Sequence, residues 1–332
     1  MRQRLDYIDI AKGIGIILVV CSHTIYPELM YYTSAFFVPV FFFCSGFTSS
    51  KKEIGIKENF IRHALKLLKP YLCFSILLML IFHDFSLRAI FGIFYSRYCL
   101  YPFGTEPDIV HFMIVGNYPM WFLTCMVVAY LFYEIILYYP KYQYHLAAVY
   151  LIAAILMQYL PILLPWSIDT APLMAIIMYC GTQVRKYFPD IFSSRVPNTL
   201  VIISLVTYLL LIPFCQDINI SVREYGTSIF TYLLAALTGS ILVTWLSRLI
   251  QGTIIGKGLQ QIGIHSLTIF CIEIPFILWG KQLPMILFRD LPQQSQLLAT
   301  AITQIVVSIA GGYLISLLLH KNKHIRNIVF YE

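Results

Sequence analysis

The chain has 332 residues, 59% of them hydrophobic and only 12% charged, with a formal net charge of +7 and a mean hydropathy of +0.76. A soluble domain carries about 25% charged residues, and no polar stretch here is long enough to form one, so residues 1–332 read as a single all-α polytopic membrane domain. The basic surplus fits loop charges set by membrane topology; without a basic domain or a nucleic-acid motif, no nucleic acid is expected as a partner.

Ten apolar runs reach spanning length: 8–26, 32–50, 65–83, 119–139, 145–163, 167–187, 198–214, 226–250, 262–280 and 296–319. With a cytoplasmic N-terminus, 17 of the 23 Lys and Arg residues fall in cytoplasmic segments and 5 in outer ones. The charge bias predicts about ten transmembrane helices with both termini cytoplasmic, in an integral, multi-pass protein of the cell (inner or plasma) membrane. Arg2 and Arg4 precede an apolar run, but Asp9 and Lys12 interrupt it and no small-x-small cleavage pattern follows. The N-terminal segment is therefore expected to be retained.

The first run, DIAKGIGIILVVCSHT, opens with Asp9 and Lys12 and closes with His23. Steps of 3, 4, 4 and 3 put Asp9, Lys12, Ile16, Val20 and His23 on one helical face. Lys12 and His23 are then about 16 Å apart along the axis. Ionisable groups are costly in a membrane helix and usually face a bundle interior or a water-filled cavity.

The second run, FFVPVFFFCSGF, contains Pro39, expected to kink it. Ser45 and Gly46 near its end allow close backbone approach. The next segment, KKEIGIKENFIRHALKLLKPY, sets Arg62, Lys66 and Lys69 at helical spacing. Such a face reads either as positive-inside charge against anionic lipid or as a seat for the phosphates of a nucleotide-bearing substrate. The longest outer connection, from His83 to Pro119, holds RAIFGIFYSRY, expected as a short interfacial helix, and PFGTEPDIVHF, a stretch suited to binding, packing or disorder. Run 4 opens with PMWFL, where Trp121 is either a belt residue or the wall of a cleft. Asp169 lies a turn inside run 6, and Glu273 about ten residues into run 9. Ala310, Gly311 and Gly312 in the last run read as packing. The eight cysteines show no CxxC or His-rich spacing, so neither a metal site nor a disulfide framework is expected.

In this topology His23, Trp121, Asp169 and Glu273 share the outer half of the bilayer. Asp9, Lys12, Ser45, Gly46, Arg62, Lys66 and Lys69 lie at the cytoplasmic side. One layer suits proton transfer and the other anion binding.

These pieces resemble the acyltransferase family 3 membrane proteins, and within them the fucose 4-O-acetylase-like enzymes. The resemblance is carried by YIDIAKGIGIILVVCSHT (7–24), FFVPVFFFCSGF (36–47), RHALKLLKPY (62–71), MWFL (120–123), WSIDTAP (166–172) and GIHSLTIF (263–270). Its most diagnostic part is a basic residue and a histidine with ten residues between them, here Lys12 and His23. The chain departs from the pattern at Phe37 and Glu273, where relatives often carry histidine.

The resemblance implies transfer of an acetyl group from acetyl-CoA, a donor substrate rather than a bound cofactor, to a sugar hydroxyl of a surface polysaccharide or its precursor. It makes His23 catalytic. It puts Lys12 on the donor side, with Asp9, Ser45, Gly46, Arg62, Lys66 and Lys69 around it, and Trp121 and Phe122 with the acceptor. A hydroxyl is a poor nucleophile, and a histidine near neutrality can take its proton. A carboxylate on the other ring nitrogen would orient the base; Asp169 and Glu273 both qualify from sequence. A covalent acyl-histidine is a chemical alternative. Ten spans with buried ionisable groups also suit a transporter or flippase for a lipid-linked glycan. Partners are then acetyl-CoA, a glycan and the bilayer, with room for a homo-oligomer.

Overall fold

Proline, glycine and short loops cut the apolar runs into pieces of unequal length. The computed structural model describes residues 5–25, 30–49, 55–102, 115–189, 191–192, 197–287 and 292–331. The PFGTEPDIVHF stretch lies almost wholly outside them, as do Arg2, Arg4, Lys51, Lys52, Arg195 and Arg289. In chain order the helices are α1 (Asp6–Ser22), α2 (Met30–Thr33), α3 (Pro39–Thr48), α4 (Ile56–Phe82), α5 (Leu87–Tyr95), α6 (Trp121–Tyr138), α7 (Gln143–Met157) and α8 (Ala171–Tyr187). Then come α9 (Thr199–Leu211), α10 (Ile229–Ile250), α11 (Ile254–Ile264), α12 (Ser266–Leu287), α13 (Gln293–Lys321) and α14 (Lys323–Val329). Among the described residues the fold is all-α apart from one short antiparallel pair, β1 (Ile218–Asn219) and β2 (Glu224–Tyr225).

The expectation of about ten spans is overturned. Among the described residues four helices are long and apolar enough to cross a membrane: Lys57–Phe82, Asn117–Tyr138, Ile229–Ile250 and Gln293–Lys321. A fifth is reached if α11 and the first part of α12, bent by 82° at their junction, count as one. The placement of both termini on the cytoplasmic side rested on those ten spans and falls with them.

The reasons are local. Pro39 does not kink a long span; it sits in the first turn of α3, where its missing N–H costs nothing, and α3 has only 10 residues. Pro70, by contrast, lies inside α4, so the basic segment and the third apolar run form one 27-residue helix. α7 and α9 are 15 and 13 residues long, and Pro213 follows the end of α9. α1 and α8 stop at 17 residues each, about 26 Å of axis.

Glycine contacts hold α1 in place. A Cβ at Gly13 would strike the Leu259 carbonyl of α11, and one at Gly263 would strike the Asp9 carbonyl of α1. The two backbones therefore touch, as small residues permit between apolar helices. Gly46 of α3 meets the Met178 carbonyl of α8 in the same way, and Gly181 of α8 meets that of Phe43. A continuous apolar core runs through α1, α3, α6, α8, α10 and α12.

Candidate active site

The last turn of α1 delivers His23. The helix closes tightly there: His23 N–H donates to the Val20 carbonyl and Thr24 N–H to that of Cys21, each at 3.1 Å. The His23 ring then reaches α12, with Nδ1 2.9 Å from Oε1 of Glu273. Glu273 is wholly buried, while the His23 side chain keeps 18% of its surface exposed. An ionised carboxylate here would accept from Nδ1–H and leave Nε2 with its lone pair.

Two residues of α13 that no sequence motif marked fix this geometry. Gln304 accepts from the Ile25 N–H at 3.2 Å and donates to the Ile277 carbonyl at 3.1 Å. Ser308 Oγ donates to the Glu273 carbonyl at 3.3 Å. Gln304 and Ser308 are one turn apart on α13, as Ile277 and Glu273 are on α12. Two rungs thus lock the helix bearing the acid, and the first also ties down the turn bearing the histidine. Oε2 of Glu273 has no hydrogen-bond partner among the described residues.

His23 lines a cavity of about 480 Å³, together with Ser22, Tyr98, Tyr118 and Trp121. The Tyr118 ring meets His23 edge-on at 5.4 Å, and Tyr98 packs on Tyr118 at 5.5 Å. Trp121 is buried at the cavity wall, the cleft position among its two sequence readings. A second cavity of about 190 Å³ is lined by Lys12, Ser45, Leu67 and Ser266. Val19, Val38, Phe122 and Phe270 line both cavities, so the two adjoin across a thin apolar wall. The Phe122 and Phe270 rings stand 5.3 Å apart in it. One helix, α1, contributes Lys12 to one cavity and His23 to the other.

The remaining sequence candidates are dispersed. Asp169 is not beside His23; it is wholly buried in ion pairs with Arg97 and Arg223. Lys12 Nζ is 3.9 Å from Asp9, itself nearly buried. Arg62 pairs loosely with exposed Glu58 at 3.7 Å, and Lys69 donates to the Asn327 carbonyl at 3.2 Å. Leu67, between these basic residues, is the α4 side chain that reaches the smaller cavity; Arg62, Lys66 and Lys69 are not in its lining. Gly46 is taken up by α8. Among the described residues no group of three His, Cys, Asp or Glu side chains could hold a metal ion.

A buried carboxylate–imidazole pair on the wall of a large cavity can take a proton from a bound hydroxyl and stabilise the imidazolium that results. The sequence pattern of the Acyltransferase domain family matches residues 5–321. No curated protein matches the chain.

Proposed function

This chain belongs to the Acyltransferase domain family, and on that premise we propose that it moves an acetyl group from acetyl-CoA to a sugar hydroxyl of a surface polysaccharide or its precursor. The acceptor occupies the larger cavity. The adenine-bearing end of the donor lies toward Lys12, and the pantetheine arm passes the Phe122–Phe270 wall toward His23, about 16 Å along α1. The motif likeness to fucose 4-O-acetylase-like enzymes supports a sugar hydroxyl as acceptor.

In the reaction, Nε2 of His23 accepts the hydroxyl proton as the oxygen attacks the thioester carbon. A C–O bond forms, and the carbonyl electrons move to oxygen. Collapse of this intermediate breaks the C–S bond; CoA leaves as thiolate and takes up the proton held by His23. Glu273 keeps the ring in the productive tautomer and offsets its transient charge. His23 is the general base, Glu273 its positioning residue, and Lys12 a counter-charge for donor phosphate.

The observation that carries this reading is the His23–Glu273 contact, set where one cavity backs onto another that holds Lys12. The test is acetyl-CoA consumption by purified protein in detergent, wild type against folded His23→Ala. Thioester cleavage that disappears in the variant supports the reading. Persisting activity would remove His23 as base, and no turnover or CoA binding in folded wild-type protein would remove the enzyme.

A further inference from the structure

The acceptor cavity has a second charged feature on its wall, which the proton-transfer chemistry does not use. Arg97, between α5 and the following loop, lines the same cavity as His23, although its side chain is only 1% exposed. Its Nε donates to the Leu164 carbonyl at 3.0 Å, Nη1 to that of Ser221 at 2.6 Å, and Nη2 to Asp169. A guanidinium has five N–H donors, so two remain beyond these three bonds.

The charges do not balance. Arg223 also leans on Asp169, its Nε 3.4 Å from Oδ2, and Oδ2 further accepts the Leu164 N–H at 3.1 Å. One carboxylate thus faces two buried guanidiniums, and among the described residues neither arginine forms an ion pair with any other acid. Arg223 has compensation elsewhere: its Nη groups donate to the carbonyls of Met157 and Leu160, just where α7 ends and the helix dipole is negative. Arg97 has its direct bond to Asp169 and two backbone carbonyls, while Arg223 Nε has no hydrogen-bond partner among the described residues. The cluster as a whole keeps one positive charge beyond its single acid, and Arg97 is the arginine of the two that lines the cavity; a buried charge short of a partner is unfavourable until one arrives.

The backbone is bent to hold this arrangement. Four of the six non-glycine residues with positive φ among the described residues are at the cluster: Ser96 (55°) beside Arg97, Trp166 (55°) and Ser167 (57°) just before Asp169, and Arg223 itself (66°). Such residues persist where surrounding structure over-determines them, often at ligand clamps.

We propose that Arg97 is a specificity-determining residue of the acceptor site, and that the acceptor carries an anionic group, a carboxylate or phosphate on the sugar, which pairs with the two N–H donors this guanidinium has beyond its three bonds. The proposal rests on the acyltransferase reading of the cavity. Asp169 and Arg223 hold Arg97 in place and do not touch the acceptor.

The test uses the full-length protein in detergent with acetyl-CoA and matched acceptors: methyl glucuronide, glucose 1-phosphate and neutral methyl glucoside. Wild-type protein is expected to show a KM at least about tenfold lower for a charged sugar than for the neutral one. In Arg97→Gln that preference collapses, the KM for the charged sugars rising toward that for the neutral one; a merely structural arginine would move both acceptors together. Preference for the uronate or for the sugar phosphate identifies which anion is read. Equal handling of all three sugars by wild-type protein overturns the proposal. Thermal-shift protection of wild-type protein by the same sugars and by sodium phosphate needs neither a foldable variant nor turnover. Protection by the charged sugars alone supports the site, whereas equal protection by inorganic phosphate and charged sugar removes the sugar from it. Failure to cleave acetyl-CoA under any condition sinks the acyltransferase reading, while charge-selective protection would still report on Arg97.

Discussion

Glu273 and Asp169 are both wholly buried acids, and from the sequence either could orient His23. In the fold they are opposites. Asp169 spends both oxygens on two guanidiniums and a backbone N–H. Glu273 meets a single imidazole through one oxygen and leaves the other without a hydrogen-bond partner among the described residues. A carboxylate clamped by two permanent cations is a fastener for the loops that carry them. One shared with a titratable ring on a cavity wall can respond when that ring gains a proton. Partner and outlet, rather than depth in an apolar run, separate the two roles.

The strongest way to break this contrast is at the histidine. His23→Ala is expected to lower kcat for acetyl transfer about 10³-fold, with a smaller fall in melting temperature than Asp169→Ala, because a stranded Glu273 can take up a proton while two guanidiniums cannot lose theirs. If kcat holds, the Glu273 pair is ordinary packing and the comparison collapses. Asp169→Ala should behave in the reverse sense. Leaving Arg97 and Arg223 buried without their counter-charge costs about 3–5 kcal/mol of stability, read as a large fall in melting temperature or loss of folded protein. A stable Asp169→Ala variant would show that the arginines find compensation elsewhere.

Glu273→Gln sharpens the same contrast. Glutamine keeps the shape but can offer an amide N–H to Nδ1, favouring the wrong ring tautomer, and it removes the charge that stabilises imidazolium. The expected loss is about 10²-fold in kcat, with KM for both substrates little changed. Thermal unfolding should shift far less than in Asp169→Ala. A matched fall in stability and rate would instead mark Glu273 as a fastener too.

Parts of this arrangement were legible in the sequence because they sit on one helix. The eleven-residue step from Lys12 to His23 needs only helical periodicity, and α1 does carry the two residues into separate cavities. The helix count was not legible, since apolar composition cannot tell a 10-residue α3 starting at Pro39 from a kinked span, nor show the bend between α11 and α12. Arg97 was counted only as a loop charge, although it is buried on the cavity wall; its meaning depends on Asp169 and Arg223, 72 and 126 residues downstream. Gln304 and Ser308 were hidden for a similar reason: their work is done against backbone groups of distant segments, the Ile25 N–H and the Ile277 and Glu273 carbonyls, and backbone partners leave no mark in side-chain identity.

The smallest expected effect concerns a third acid, Asp9, and asks how far the contrast extends. Asp9 is nearly buried, but its partner Lys12 is about a third exposed and 3.9 Å away. That distance is loose for a charge-assisted contact, so the ammonium can turn from Asp9 toward an incoming anion. If Lys12 serves donor phosphate, Lys12→Met raises the KM for acetyl-CoA about tenfold. It should leave kcat at saturating donor within about twofold, as expected when a binding contact unconnected with the reacting atoms is removed. The wild-type KM should also rise with salt more steeply than that of the variant, because a partly exposed charge is screened. The structural alternative moves different quantities. If Lys12 exists to neutralise Asp9, the variant removes the cation beside a nearly buried carboxylate, so stability falls while KM and its salt dependence stay put. Measuring KM at two ionic strengths beside a melting curve separates these outcomes, and places Asp9–Lys12 with either Asp169 or Glu273.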